Sequence, residues 1–157
     1  MRMALGSALA LVMFTTIAGA VPAIAATYVV DDGASAPQES TALLRWRRIA
    51  PSKAKDSNTL DGAVAVVVRL NLAPWLHRSG RVFLALPEQG TAPVQVTWTT
   101  QGRLLAGSIT PGNRVLVYAG PITAAVLEET LALKIEADGS RLPGMQRLKF
   151  HFEIDVD

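Results

Sequence analysis

Residues 147–157 read RLKFHFEIDVD. Leu148, Phe150, Phe152, Ile154 and Val156 alternate with Lys149, His151, Glu153, Asp155 and Asp157. Successive side chains of a strand point to opposite faces, so a period of two gives one dry face and one wet face. A helix would scatter the same five apolar residues around its axis. This stretch is expected to be the strand that closes the fold, packed into sheets that the rest of the chain supplies.

The same rhythm recurs upstream. Residues 63–72, AVAVVVRLNL, place Val64, Val66, Val68, Leu70 and Leu72 on one face. Their β-branched richness favours a strand, and the nearly all-apolar start implies burial on both faces, as in a central strand. Strands are also expected at 81–87, 93–99, 104–110, 114–118 and 131–137, and a weaker one at 41–49. In 41–49, Leu44 and Trp46 face away from Arg45 and Arg47. Residues 51–62 read as a loop and 73–80 as a connection. Ala119, Gly120 and Pro121 are expected to end the 114–118 strand. Residues 122–130, ITAAVLEET, are expected to hold one helical turn, since Ala, Leu and Glu favour helices. Turns follow at Asp138–Ser140 and at Leu142, Pro143 and Gly144.

About eight short strands with turn signals roughly every eight to twelve residues predict an all-β fold. No helical stretch is long enough to cover a sheet. The expected architecture is an antiparallel β-sandwich, immunoglobulin-like or related, and the alternative is a closed barrel. The chain has no cysteine, which excludes the Cys–Trp–Cys core of antibody domains.

The first residues carry an export pattern. Arg2 is followed by the apolar run ALGSALALVMFTTIAGA, then Pro22 and the small residues Ala23 and Ala25 flanking Ile24. This pattern is expected to be a cleavable signal peptide over 1–25, the alternative being an uncleaved membrane anchor. Residues 26–40 are expected to be a short β segment (TYVVD) on a flexible linker (DGASAPQES), and 41–157 a single sandwich domain. No later run is apolar enough to span a membrane. The expected location is the periplasm or the extracellular space. Without cysteine, disulfides and thiolate-bound zinc are excluded there.

Charge is uneven along the chain. Residues 45–114 carry ten basic and three acidic side chains, a net +7, while the segments on either side are each net −3. Complementary solvated faces of one domain explain this most simply. Attraction between copies, or contact with an anionic surface, is the functional reading.

Residue types with catalytic potential are sparse. The two histidines, His77 and His151, lack metal-ligand spacing. There is no Gly-x-Ser-x-Gly elbow and no glycine-rich phosphate loop. Glu153, Asp155 and Asp157 share a strand face but lack a carbonyl-rich calcium loop. Glu128 and Glu129 show no partner for acid–base work. His151 reads as a solvated side chain beside Lys149 and Glu153. The chain is therefore expected to be no enzyme and to hold no cofactor or metal. Trp46 and Trp98 are expected to be core anchors. Trp46 faces away from Arg45 and Arg47, which argues against a nucleic-acid stacking surface.

Candidate partner-binding residues are Trp75, His77, Arg78, Arg81, Arg45 and Arg47. Trp75 follows Pro74 in a connection, where it is either an exposed contact or a cap over one end of the sandwich. The alternating closing strand and the tethered N-terminal β segment suit strand addition between subunits. The expected function is that of a structural or interaction protein of the bacterial cell envelope, such as a fimbrial or surface-assembly subunit. Its partner would be another protein or a copy of itself. The alternative is a periplasmic binding or chaperone-like module for an anionic glycan, lipid or protein client.

Overall fold

The computed structural model describes residues 26–37, 43–47, 58–88, 93–141 and 148–156. The expected signal peptide, most of the expected 51–62 loop, the expected turn at Leu142, Pro143 and Gly144, and Asp157 lie outside the described residues. Ten strands form: β1 Ala26–Val30, β2 Ala36–Pro37, β3 Arg45–Trp46, β4 Thr59–Asn71, β5 Ser79–Leu86, β6 Val94–Thr99, β7 Gly107–Ile109, β8 Asn113–Pro121, β9 Val126–Asp138 and β10 His151–Val156. β2 and β3 are two-residue pieces, which leaves eight longer strands among the described residues.

All strands pair antiparallel, in two sheets. One has the order β1-β10-β5-β8. The other runs β4-β9-β6-β7, with β2 and β3 both lying along the free side of β4. Among the described residues, ladder pairing between the sheets is limited to an isolated bridge from Asp31 to Asn71. The result is an all-β sandwich. Its strand order differs from the immunoglobulin arrangement, which sets the last two strands side by side in one sheet. Here β9 and β10 lie in opposite sheets.

Period-two patterning explains the core. In β6, Val94, Val96 and Trp98 are buried while Gln95, Thr97 and Thr99 face solvent. β5 contributes Val82, Leu84 and Leu86, β10 contributes Phe152, Ile154 and Val156, and β9 contributes Leu127, Leu131, Leu133 and Ile135. These side chains form one continuous cluster between the sheets. Trp98 lies within it, and its indole N–H donates to the Leu105 carbonyl at 2.8 Å. That bond satisfies the one polar group the ring brings into the core.

Several local expectations are overturned. β4 begins at Thr59, inside the stretch read as a loop, because Thr59–Gly62 pair with Asp138–Ile135 of β9. The first half of β4 is half-buried on both faces at Val64–Val67, while Ala63 is exposed. Residues 122–130 hold no helical turn. Their backbone is already committed: the Ile122 carbonyl accepts the His77 amide, the Ile122 amide donates to Arg78, and the Ala125 carbonyl accepts the Leu72 amide. β9 then starts at Val126, opposite Asn71. A single 3-10 turn forms instead at Ala73–Trp75, with Pro74 in its first turn, where a missing N–H is harmless. β8 is not broken at Gly120 but continues to Pro121. It lies at a sheet edge, where proline is tolerated, and Gly120 takes φ +145, open to glycine alone without strain.

The sandwich has two flanks. On one, β7 lies against β8. A register shift places Val82 opposite Tyr118 and Phe83 opposite Leu116, so β8 carries an extra residue, Val117. Val117 is buried in the core, and its carbonyl accepts the Leu105 amide at 2.7 Å. On the other flank the chain leaves β1, makes the Asp31 bridge to Asn71, turns at Asp32–Ser35 and enters β2.

Candidate functional site

The site begins with β1. Its sequence, ATYVV, alternates weakly, and β-branched and aromatic residues favour extension. It pairs with β10 over its whole length, from Ala26 opposite Val156 to Val30 opposite Phe152. Of its five side chains only Val30 is buried. Tyr28 is 47 % exposed and Val29 70 % exposed. The N-terminal segment thus pairs with its own closing strand and forms the edge of its sheet.

β1 is tied down by a polar row across the outer face of that sheet. The Thr27 hydroxyl donates to Asp155 Oδ1 at 2.6 Å. Asp155 is only 7 % exposed, and both its oxygens also accept from Arg114, at 3.3 and 3.2 Å. Arg114 further donates to Glu153 at 3.1 Å. Its guanidinium lies 4.2 Å from the centre of the Phe83 ring, so the arginine of β8 crosses β5 to reach β10. The Thr27 hydrogen bond, followed by Arg114, holds the Asp155 carboxyl below the usual carboxylate range, against the opposing effect of burial. His151 Nε2 stands 3.1 Å from Glu153 Oε1, which extends the row along β10. Among the described residues, no group of three His, Cys, Asp or Glu side chains is placed to hold a metal ion.

The other edges differ from β1. β2 contains Pro37, and Arg45 and Arg47 frame β3. β7 is three residues long and covered by β8, and β8 ends in Pro121 with Leu105 bonded along it. Charged residues, proline, short length and covering are the usual ways of blunting a sheet edge. β1 has no charged residue and no proline, and it is the last strand of its sheet.

Comparison with protein-family models, curated proteins and solved structures finds no match. The chemistry of this edge therefore rests on its own residues.

The six residues singled out from the sequence are dispersed. Trp75 is 9 % exposed and packs into the core cluster. Tyr28 rests on it with ring centres 5.9 Å apart, so Trp75 is a cap beneath β1 rather than an exposed contact. His77 is exposed at φ +67, a left-handed conformation that histidine adopts more readily than most residues. Arg78 follows it on the same connection. Arg81 is on β5 opposite Asp155 and adds to the attraction holding that carboxyl ionised. Arg45 and Arg47 belong to the other sheet. Arg47 is paired with Asp61 at 3.5 Å and with Glu136. Trp46, expected in the core, is 53 % exposed. Its ring covers Gly139, where an added Cβ would lie 2.5 Å from it.

The basic middle and acidic ends meet across strands. Arg47–Glu136, Arg69–Glu128 and Arg114–Asp155 each join the two segments within one domain. Glu129 also has partners that its sequence context hides. Its carboxylate accepts the amides of Gly102, Arg103 and Leu104 at 2.8, 2.8 and 3.0 Å. Consecutive amides of this kind form a nest for an anion, and here the anion is internal. A Cβ at Gly102 would stand 2.5 Å from the Glu129 carboxyl carbon, so a larger residue there would push that carboxylate off the three amides.

Proposed function

We propose that this chain is an exported, non-enzymatic structural or interaction protein of the bacterial cell envelope, a subunit that assembles in the manner of fimbrial or other surface proteins. The observation that carries this reading is β1. It directly follows the segment expected to be the export signal, lies among the described residues at an unblunted sheet edge beside the closing strand, and keeps four of its five side chains exposed. A free edge of this kind can accept a strand through main-chain hydrogen bonds, with little demand on side-chain chemistry.

A binding module for an anionic glycan, lipid or client has weaker support. The arginines it would use stand on opposite sheets, and Arg47 is already paired.

The test follows the chain expressed with its own leader, by envelope fractionation, in-cell cross-linking and light scattering. The reading expects a processed chain outside the cytoplasm, with a mass above that of one chain or with a cross-linked envelope partner. A chain retained in the cytoplasm, or one that keeps a single-chain mass and cross-links to nothing, overturns it.

A further inference from the structure

We infer that the free edge of β1 is a homotypic seam, at which β1 of a second copy adds antiparallel across a two-fold axis and extends the four-stranded sheet into the neighbouring subunit. This rests on the reading of the chain as an assembly protein and names the partner as the chain itself.

Three observations converge on β1. First, among the described residues its backbone is paired on one side only. Second, Tyr28 and Val29, two of the exposed large apolar side chains, stand at and next to its centre on opposite faces, Tyr28 against Trp75 and Val29 on the outer face with Thr27. Cross-strand packing against a neighbouring strand would cover them. Third, the strand is uncharged. A two-fold axis sets each residue of a strand against the same short segment of the other copy, so a charge at or next to the axis would stand opposite or diagonal to its like. ATYVV escapes that penalty, whereas β3, framed by Arg45 and Arg47, and β8, carrying Arg114, do not. With Tyr28 on the axis, Val29 lies beside Thr27 of the second copy and Ala26 beside its Val30.

The seam leaves the home pairing intact. Thr27 keeps Asp155, Val30 keeps its place in the core, and β1 is not exchanged. A five-residue seam is shorter than the patches that make stable dimers, which bury about 1,200–2,000 Å² in total. The association is therefore weak and rises with concentration, or with confinement in an envelope.

A weak contact is best trapped covalently, and the absence of cysteine gives a clean background. Residues directly opposite on paired strands have Cβ atoms about 4.5–5.5 Å apart, close to disulfide geometry. Tyr28→Cys is the probe, and Leu105→Cys, exposed on the opposite flank, is the control. The first is expected to give a disulfide-linked dimer under mild oxidation, well above the control. Adding Val29→Lys should cut trapping about tenfold or more, equivalent to about 1.4 kcal/mol of association. At home that lysine faces Glu153 of β10, so the fold tolerates it. Val29→Thr, uncharged and β-branched, should lower trapping far less than Val29→Lys.

Trapping at Cys-substituted position 28 no greater than at position 105 overturns the seam, as does trapping insensitive to Val29→Lys. If the unsubstituted chain still runs above single-chain mass in that case, the seam alone is wrong and assembly uses another surface. If it runs as a single chain and cross-links to nothing in the envelope, the assembly reading falls as well.

Discussion

Along the flank where β7 meets β8, Val117 bulges into the core, its carbonyl accepts the Leu105 amide, and Trp98 lies within the core and donates to Leu105. Along the opposite flank, β1 is attached to β10 by backbone pairing, one buried side chain and the bond from Thr27 to Asp155. Apolar burial, interlocked with backbone hydrogen bonds, seals the first flank. The second is held mainly by polar groups at the surface. Apolar burial is lost only by opening the core, whereas an edge strand can open locally with the core intact. The flank with the unpaired edge is thus the one whose opening least threatens the fold.

The widest contrast comes from the two anchoring side chains. Trp98→Ala should lower stability by about 3–5 kcal/mol, as large core truncations do. Val30→Ala, on the β1 flank, should lower it by about 1.5 kcal/mol. Denaturant titration measures both, and equal losses would break the comparison.

Next is the loop that leads into β7. Glu129→Ala removes the acceptor of three amides. Because the site is half-exposed, water replaces part of the loss, and about 2 kcal/mol is expected. Hydrogen exchange should quicken at Gly102–Leu104 and leave β1 unaffected. Faster exchange in β1 instead would mean the flanks are coupled.

Acid should loosen the β1 flank. The folded-state carboxyl of Asp155 is held low by Thr27 and then Arg114. Its contribution is therefore fully present above the ordinary carboxylate range and is lost as pH falls through the depressed value. The denaturation midpoint of the native chain should fall over that acidic window. Asp155→Asn should flatten the fall. An unchanged slope would show that Asp155 is not the group responsible.

The smallest effect belongs to Thr27→Val, which removes one edge hydrogen bond, worth about 1 kcal/mol or less globally. Its readout is local: β1 amides should exchange faster while those of β9 keep their protection. Uniform acceleration would show that β1 opens only with the whole fold.

The sandwich and most of its strands were legible because alternation is a local property. β5, β6, β9 and β10 each state which side chains face inward, and the structure buries those residues. The failures are equally instructive. Trp46 and Trp98 occupy similar alternating runs, but β3 is a two-residue piece at the side of β4, so Trp46 covers a turn while Trp98 fills the core. The good helix formers at 122–130 lost to backbone partners supplied by residues 72–78. For Trp75 the sequence left an exposed contact and a cap both open, because the choice depends on the 3-10 turn and on Tyr28 packing above it.

The candidate site was legible in part. The N-terminal β segment, read as 27–31 with Asp31 included, and the alternating closing strand could both be read from their residues, and so could the charge asymmetry. That β1 would pair at home with β10 could not, nor could the row from Thr27 through Asp155 to Arg114. The sequence alone determined the period of each strand, the uncharged character of β1 and the lack of cysteine, since these belong to consecutive residues or to composition. Only the tertiary structure decided which strands are neighbours, which edges are covered, and that residues 27, 114 and 155 meet on one face. Strand order is set by the summed burial and hydrogen bonding of segments far apart in the chain, and no local pattern encodes that sum.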